Sequence, residues 1–125
     1  MTRTVLVVED TDLCRETLEI ALGGLSGVKV WAVSTAEAAL EYVASEELCA
    51  LVTDLHLPEM SGFDLIQTLR SRREYADLPI VVTSGDSDPH TQVNLAQLGA
   101  NAYFAKPYSP AELRGILEQL IEPAA

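Results

Sequence analysis

The sequence predicts an α/β domain: a doubly wound parallel sheet with helices on both faces. Three observations carry that reading. Runs of four to six apolar, largely β-branched residues bounded by turn formers recur as TVLVV, ALVT, PIVVT and AYFA, the pattern of strands buried on both faces. Segments with helical spacing lie between them, as parallel strands joined by crossovers require. Polar residues stand where each run stops: Glu9-Asp10, Asp54, Ser84 and Lys106. In such sheets the carboxyl ends of the strands form the ligand crevice, and all of these residues fall at carboxyl ends.

The first strand is read over residues 4–8. Asp12 is expected to cap a helix that places Cys14, Leu18, Ala21 and Leu25 on one face and ends at Gly23-Gly24. A strand over 28–33 leads to Ser34-Thr35, which cap a helix with Ala36, Ala39, Leu40 and Val43 at i, i+3, i+4, i+7 spacing. Trp31 on that strand is read as surface or edge packing. Residues 50–53 form the third strand, ending at Asp54. The loop from His56 through Pro58 to Gly62 then breaks regular structure ahead of a helix carrying Leu65, Ile66 and Leu69.

Pro79 opens the fourth strand. In the turn that follows, Asp88 is placed to cap a helix with Pro89 at its first position, and Asp86 reads as a turn former. That helix stops at Gly99, and a short strand spans 102–105. The last helix starts from Ser109-Pro110 and sets Leu113, Ile116, Leu117, Leu120 and Ile121 on one face. His56 and His90 are expected to be exposed loop residues.

At 125 residues, 48% apolar and 6% aromatic, the chain is one domain with an aliphatic core and no need of metal or disulfide staples. Residues 1–122 are assigned to it, and 123–125 to a tail or the start of a linker. With 19 acidic against 8 basic residues and a net charge of −11, direct nucleic acid binding and adhesion to anionic lipid are disfavoured. No secretory or membrane-spanning segment is recognisable, so the expected location is the cytoplasm. Cys14 and Cys49 have no metal-ligand spacing and read as small apolar residues in a reducing compartment.

Glu9, Asp10 and Asp54 meet if the first and third strands are neighbours. Clustered carboxylates raise one another's pKa or recruit a cation, and hard oxygen ligands suit Mg²⁺, which leaves positions for phosphate oxygens. Lys106 adds a point charge. An acid cluster, a cation and a lysine together suit a phosphoryl group, whose transfer needs positioning and charge neutralisation. Singly, each residue has a plainer reading: Asp54 as a turn former, Glu9-Asp10 as helix-start charges, Ser84 as a turn hydroxyl, Lys106 as a solvated lysine and Tyr103 as a half-buried aromatic.

An acidic pair, a lone Asp before a loop with Pro and Gly, a Ser, then Lys-Pro: in that order and at these intervals the chain resembles the receiver domain of two-component response regulators. The likeness to the single-domain chemotaxis regulators covers essentially the whole chain. It implies the flavodoxin-like (βα)5 fold with strand order 2-1-3-4-5, helices one and five on one face and two, three and four on the other. It further implies that Asp54 accepts a phosphoryl group from a sensor histidine kinase or a histidine phosphotransfer protein. Glu9, Asp10, Asp54 and the backbone carbonyl of His56 would hold Mg²⁺ or Mn²⁺, with Glu9 acting through water.

By the same resemblance Ser84 and Lys106 would contact phosphoryl oxygens, Lys106-Pro107 would be cis, and Ser84 with Tyr103 would form the switch. The fourth helix, fifth strand and fifth helix would present the output surface, in a monomer or a phosphorylation-dependent dimer. Such a chain is a self-dephosphorylating signalling switch rather than a metabolic enzyme, either a stand-alone relay or the N-terminal part of a longer regulator. Glu-Asp in place of Asp-Asp, and Ser84 in place of Thr, depart from the family's common pattern. Gly85 leaves the site open to small donors or water.

Three other readings compete. An aspartyl-phosphate phosphatase would need a second Asp at position 56, which is His. A nucleotide or flavin site would need a glycine-rich loop where Glu9-Asp10-Thr11-Asp12 stands. A pseudo-receiver that only docks would not need the acid, Ser and Lys positions intact.

Overall fold

The computed structural model describes residues 3–86 and 88–121. The stretch 123–125, read from sequence as a tail or linker, lies outside the described residues, as do Glu122 and, in the turn before the fourth helix, Ser87. The order of elements is β1 (Arg3–Val8), α1 (Asp12–Leu22), β2 (Val28–Val33), α2 (Ala36–Val43), β3 (Ala50–Asp54), α3 (Gly62–Arg70), a 3₁₀ turn (Arg73–Tyr75), β4 (Ile80–Ser84), α4 (Pro89–Leu98), β5 (Ala102–Ala105) and α5 (Pro110–Ile121). The five strands form one parallel sheet in the order β2-β1-β3-β4-β5.

The sheet separates two apolar cores. Leu6, Val8, Leu51, Ile80 and Val82 point to one side, against Ala39 and Val43 of α2, Leu65, Ile66 and Leu69 of α3, and Leu95 of α4. The alternate residues Val5, Val7, Val52 and Val81 face Leu18 and Leu22 of α1 and Leu113 and Leu117 of α5. This is the period-two alternation of strands covered on both faces. It places α1 and α5 on one side and α2, α3 and α4 on the other, as expected.

Local chemistry sets most of the helix starts. The Thr35 hydroxyl accepts the Ala38 N–H, the Ser61 hydroxyl the Asp64 N–H, the Asp88 carboxylate the His90 N–H and the Ser109 hydroxyl the Glu112 N–H. Gly99 ends α4 at φ 92, a left-handed conformation that glycine adopts without a Cβ penalty.

Several expectations need correction. Asp12 does not cap α1: the capping position is Thr11, which makes no side-chain capping bond, and Asp12 is the first helical residue, its carboxylate turned to Arg15. Leu25 is buried but lies beyond the end of α1. Ile116, expected on one face of α5 with Leu113, Leu117, Leu120 and Ile121, is 37% exposed, and Leu113 and Leu117 are the helix's buried residues. β1 begins one residue earlier than read, at Arg3, and β3 takes in Asp54 itself. The 3₁₀ turn has no counterpart in the sequence reading. Trp31 is exposed at the sheet edge and stacks on Tyr42, with Lys29 over its ring.

Candidate functional site

The strand order makes β1 and β3 neighbours, with Val8 paired to Thr53, so the residues that follow each come together at the carboxyl edge. Oxygens of Glu9, Asp10 and Asp54 lie within 4.8 Å of one another. Asp10 is exposed, whereas Glu9 and Asp54 are buried. The β4–β5 pairing sets Ser84 beside Ala105, so Lys106 follows directly past the same edge. Its ammonium lies 3.1 and 3.2 Å from the two Glu9 oxygens and 3.0 Å from Asp54 Oδ2.

Burial raises the pKa of Glu9, Lys106 opposes that rise, and Asp54 adds to it. Burial alone would lower Lys106, but its bonds to Asp54 and Glu9 outweigh that and hold it above the ordinary lysine value. The other Asp54 oxygen accepts the His56 backbone N–H at 3.3 Å. Beside the site burial pushes the Tyr108 phenol up to about 12. The peptide bond between Lys106 and Pro107 is cis.

Ser84 is fully buried at the end of β4, and its Oγ accepts the Asp86 N–H. Tyr103 is half-buried, and its hydroxyl donates to the Asp86 carbonyl at 2.6 Å. A Cβ at Gly85 would meet nothing within 4 Å. The His56 side chain is exposed, with Nε2 3.6 Å from Asp86 Oδ2, and His90 is exposed.

The residues singled out from sequence therefore gather at one edge. The donor set fits a hard divalent cation: three carboxylates in mutual reach, one of them exposed. Two features were not read from sequence. One is the two-oxygen grip of Glu9 on Lys106. The other is the set of partners around Asp86, which includes the Thr91 hydroxyl at 3.0 Å; an acid two residues past Ser84 and a hydroxyl in the first turn of α4 were the available signal.

Residues 5–118 match the model of the response regulator receiver domain, and the chain belongs to that family. Receiver domains of two-component systems are signalling phosphoacceptors, not metabolic enzymes. They generally bind Mg²⁺ at an acidic pocket and interact with histidine kinases or phosphotransfer proteins.

Among its relatives, the transcriptional regulatory protein GltR of Pseudomonas aeruginosa is 34% identical over 122 residues, which are 98% of this chain and 50% of that protein. A chemotaxis protein CheY homolog of Campylobacter jejuni is 27% identical over 94% of this chain and 91% of its own length. The sensory/regulatory protein RpfC of Xanthomonas campestris pv. campestris is 37% identical over 93% of this chain, but only 16% of that protein is spanned. The chain thus spans half of one of these relatives and a small part of another. A putative response regulator from Chloroflexus aurantiacus superposes with a TM-score of 0.88 at 30% identity, covering 97% of this chain and 98% of that one. The chemotaxis response regulator CheY4 of Vibrio cholerae, at 22% identity and TM-score 0.86 over 96% of this chain and 99% of that one, shares the fold. Among the described residues no helix is long and apolar enough to cross a membrane.

Proposed function

We propose that Asp54 is the phosphoryl acceptor of this chain and that a phosphohistidine, on a sensor kinase or a phosphotransfer protein, is the donor. The observation that carries this reading is the Asp54 carboxylate itself, buried at the end of a central strand with one oxygen 3.0 Å from Lys106 and the other on the His56 N–H. An Asp54 oxygen attacks phosphorus, the bond from phosphorus to the donor's imidazole nitrogen breaks, and the electron pair stays on that nitrogen. An acyl phosphate remains on Asp54. Lys106, already within hydrogen-bonding distance, pairs with a phosphoryl oxygen, and the Ser84 hydroxyl donates to another.

Asp10, Asp54 and the His56 carbonyl would hold Mg²⁺ or Mn²⁺, with Glu9 acting through water. When bound, the cation would neutralise charge on the transferring group. Hydrolysis of the acyl phosphate by water resets the switch, and the open space beside Gly85 favours its entry. Ser84 and Tyr103 report the phosphoryl group to the α4–β5–α5 face, where Val93 and Ile116 are exposed. That face is the surface for an output partner or, once Asp54 is phosphorylated, for a second copy of the chain. The work is assigned to the cytoplasm, where phosphorylated kinases present their histidines.

Acetyl phosphate with Mg²⁺ is expected to add one phosphoryl group to the wild type and none to Asp54→Asn, read by intact-protein mass spectrometry. Equal labelling of both proteins would remove Asp54 from the role.

A further inference from the structure

Asp86, a turn former by sequence, uses every polar group it has, and on several different elements. Its N–H donates to Ser84 Oγ at the end of β4 (3.0 Å), and its carbonyl accepts from the Tyr103 hydroxyl on β5 (2.6 Å). One carboxylate oxygen accepts the Asp88 N–H at the cap of α4 (2.8 Å) and the other accepts the Thr91 hydroxyl inside α4 (3.0 Å). His56 Nε2, from the β3–α3 loop, approaches that second oxygen at 3.6 Å. Thr91 is 7% exposed, so its hydroxyl is fixed in the packed face of the helix.

We infer that Asp86 is a positioning residue that carries a displacement of Ser84 into α4 and to Tyr103, with the Asp86–Thr91 bond as the link to the helix. A serine hydroxyl has one donor and two acceptor positions. Ser84 Oγ spends only acceptor capacity on Asp86, so its proton is free for a phosphoryl oxygen on Asp54, and both bonds exist together. Ser84 therefore moves with Asp86 attached, and the open space at Gly85 lets the intervening backbone turn. The Asp86 carboxylate is held by a buried hydroxyl, a charge-assisted bond stronger than a neutral one. The loop then takes the first turn of α4 with it or loses that bond. Capping does not explain the contact, because Asp88 already caps α4 through the His90 N–H.

This inference rests on Asp54 being the phosphoryl site, and the test separates the two. Beryllium fluoride with Mg²⁺, a phosphoryl mimic, is added to the wild type, Thr91→Val, Thr91→Ser and Asp86→Ala, and backbone amide shifts are followed by NMR. In the wild type the amides of Ser84 and of Val93 and Leu95 in α4 are expected to move together. In Thr91→Val the Ser84 response is retained while the α4 response falls below half. Thr91→Ser restores it, and Asp86→Ala, which cuts the same bond from the other side, reproduces the loss and stands in should Thr91→Val fail to fold. A full α4 response in the Val and Ala variants, with Ser84 still responding, overturns the inference and leaves the phosphoryl site standing. Loss of the Ser84 response in Thr91→Val places Thr91 in binding rather than transmission and also overturns it. A wild type whose Ser84 does not respond overturns the site, and the inference with it.

Discussion

Lys106 stands between two carboxylates that burial has largely stripped of water, Glu9 at 1% exposure and Asp54 at 6%. Its ammonium is the counter-charge for both, so Lys106→Ala leaves two like charges facing each other across a dry gap. Removing one partner of a buried ion pair costs about 3–5 kcal/mol. The Lys106 side chain is 24% exposed, and solvent screening reduces the expected loss to roughly 2 kcal/mol. The loss depends on pH through Glu9, whose pKa burial raises above 4.5. A carboxyl whose folded pKa exceeds its unfolded value holds more protons when folded, so its ionisation costs stability as pH rises from the unfolded value through the folded one. In the wild type Lys106 offsets part of that cost; in the variant only the Thr11 N–H does. Urea midpoints taken at pH 4.5 and at neutral pH should therefore show a larger deficit for Lys106→Ala at neutral pH. A deficit equal at both ends would mean that Glu9 is not the charged partner. The raised pKa of Lys106 has the same sign in a higher pH window: its stabilisation is complete below 10.5 and is lost as pH climbs through the raised value.

Among the elements, α3 depends most on a single residue. Gly62 starts the helix against the end of β3, its N–H donating to the Leu55 carbonyl at 2.8 Å. A Cβ there would lie 2.3 Å from the Asp54 carbonyl oxygen and 2.8 Å from Leu55 Cα, both backbone atoms that cannot swing aside. Gly62→Ala must therefore push α3 away from the strand that presents Asp54. A destabilisation of about 2–3 kcal/mol is expected, with slower labelling of Asp54 by acetyl phosphate. An Ala variant with wild-type melting temperature and labelling rate would contradict the close approach. The sequence made this loop legible through Pro58 and Gly62, and the caps at Thr35, Ser61, Asp88 and Ser109 through hydroxyls and carboxylates placed two or three residues before the N–H they accept. Those are local bonds, and local bonds can be read from spacing. The 3₁₀ turn was not legible, because no cap or turn former marks it: its own backbone bonds and the Arg70 guanidinium, which donates to the Tyr75 and Ala76 carbonyls and also reaches Gly99 beyond α4, hold it. Of the partners of Asp86, only the Tyr103 hydroxyl and His56 come from distant elements; Ser84, Asp88 and Thr91 lie within five residues.

Across the whole molecule, the strand order brings Glu9 and Lys106, 97 residues apart, into one ion pair. Their meeting was legible only because apolar runs ended at polar residues and the family's topology supplied the order of strands; the grip of both Glu9 oxygens on Lys106 depends on side-chain reach and was not. The same topology distributes charge unevenly. The chain carries −11 overall, yet α4, Pro89–Leu98, contains no Asp, Glu, Lys or Arg, and Val93 on it is 54% exposed. The uncharged α4 is the segment where two such acidic chains approach with least repulsion, so a phosphorylation-dependent pair is expected to form through the α4–β5–α5 face. Like-charge repulsion between the two molecules still opposes association, and salt screens it, the Debye length falling from about 30 Å at 0.01 M to about 8 Å at 0.15 M. Sedimentation velocity with beryllium fluoride and Mg²⁺ should therefore show a dimer that strengthens as salt is raised over that range, and Val93→Glu should return the protein to a monomer without changing the Ser84 amide response. A dimer that weakens with salt would rest on complementary charges, which α4 does not have, and would take the contact off α4.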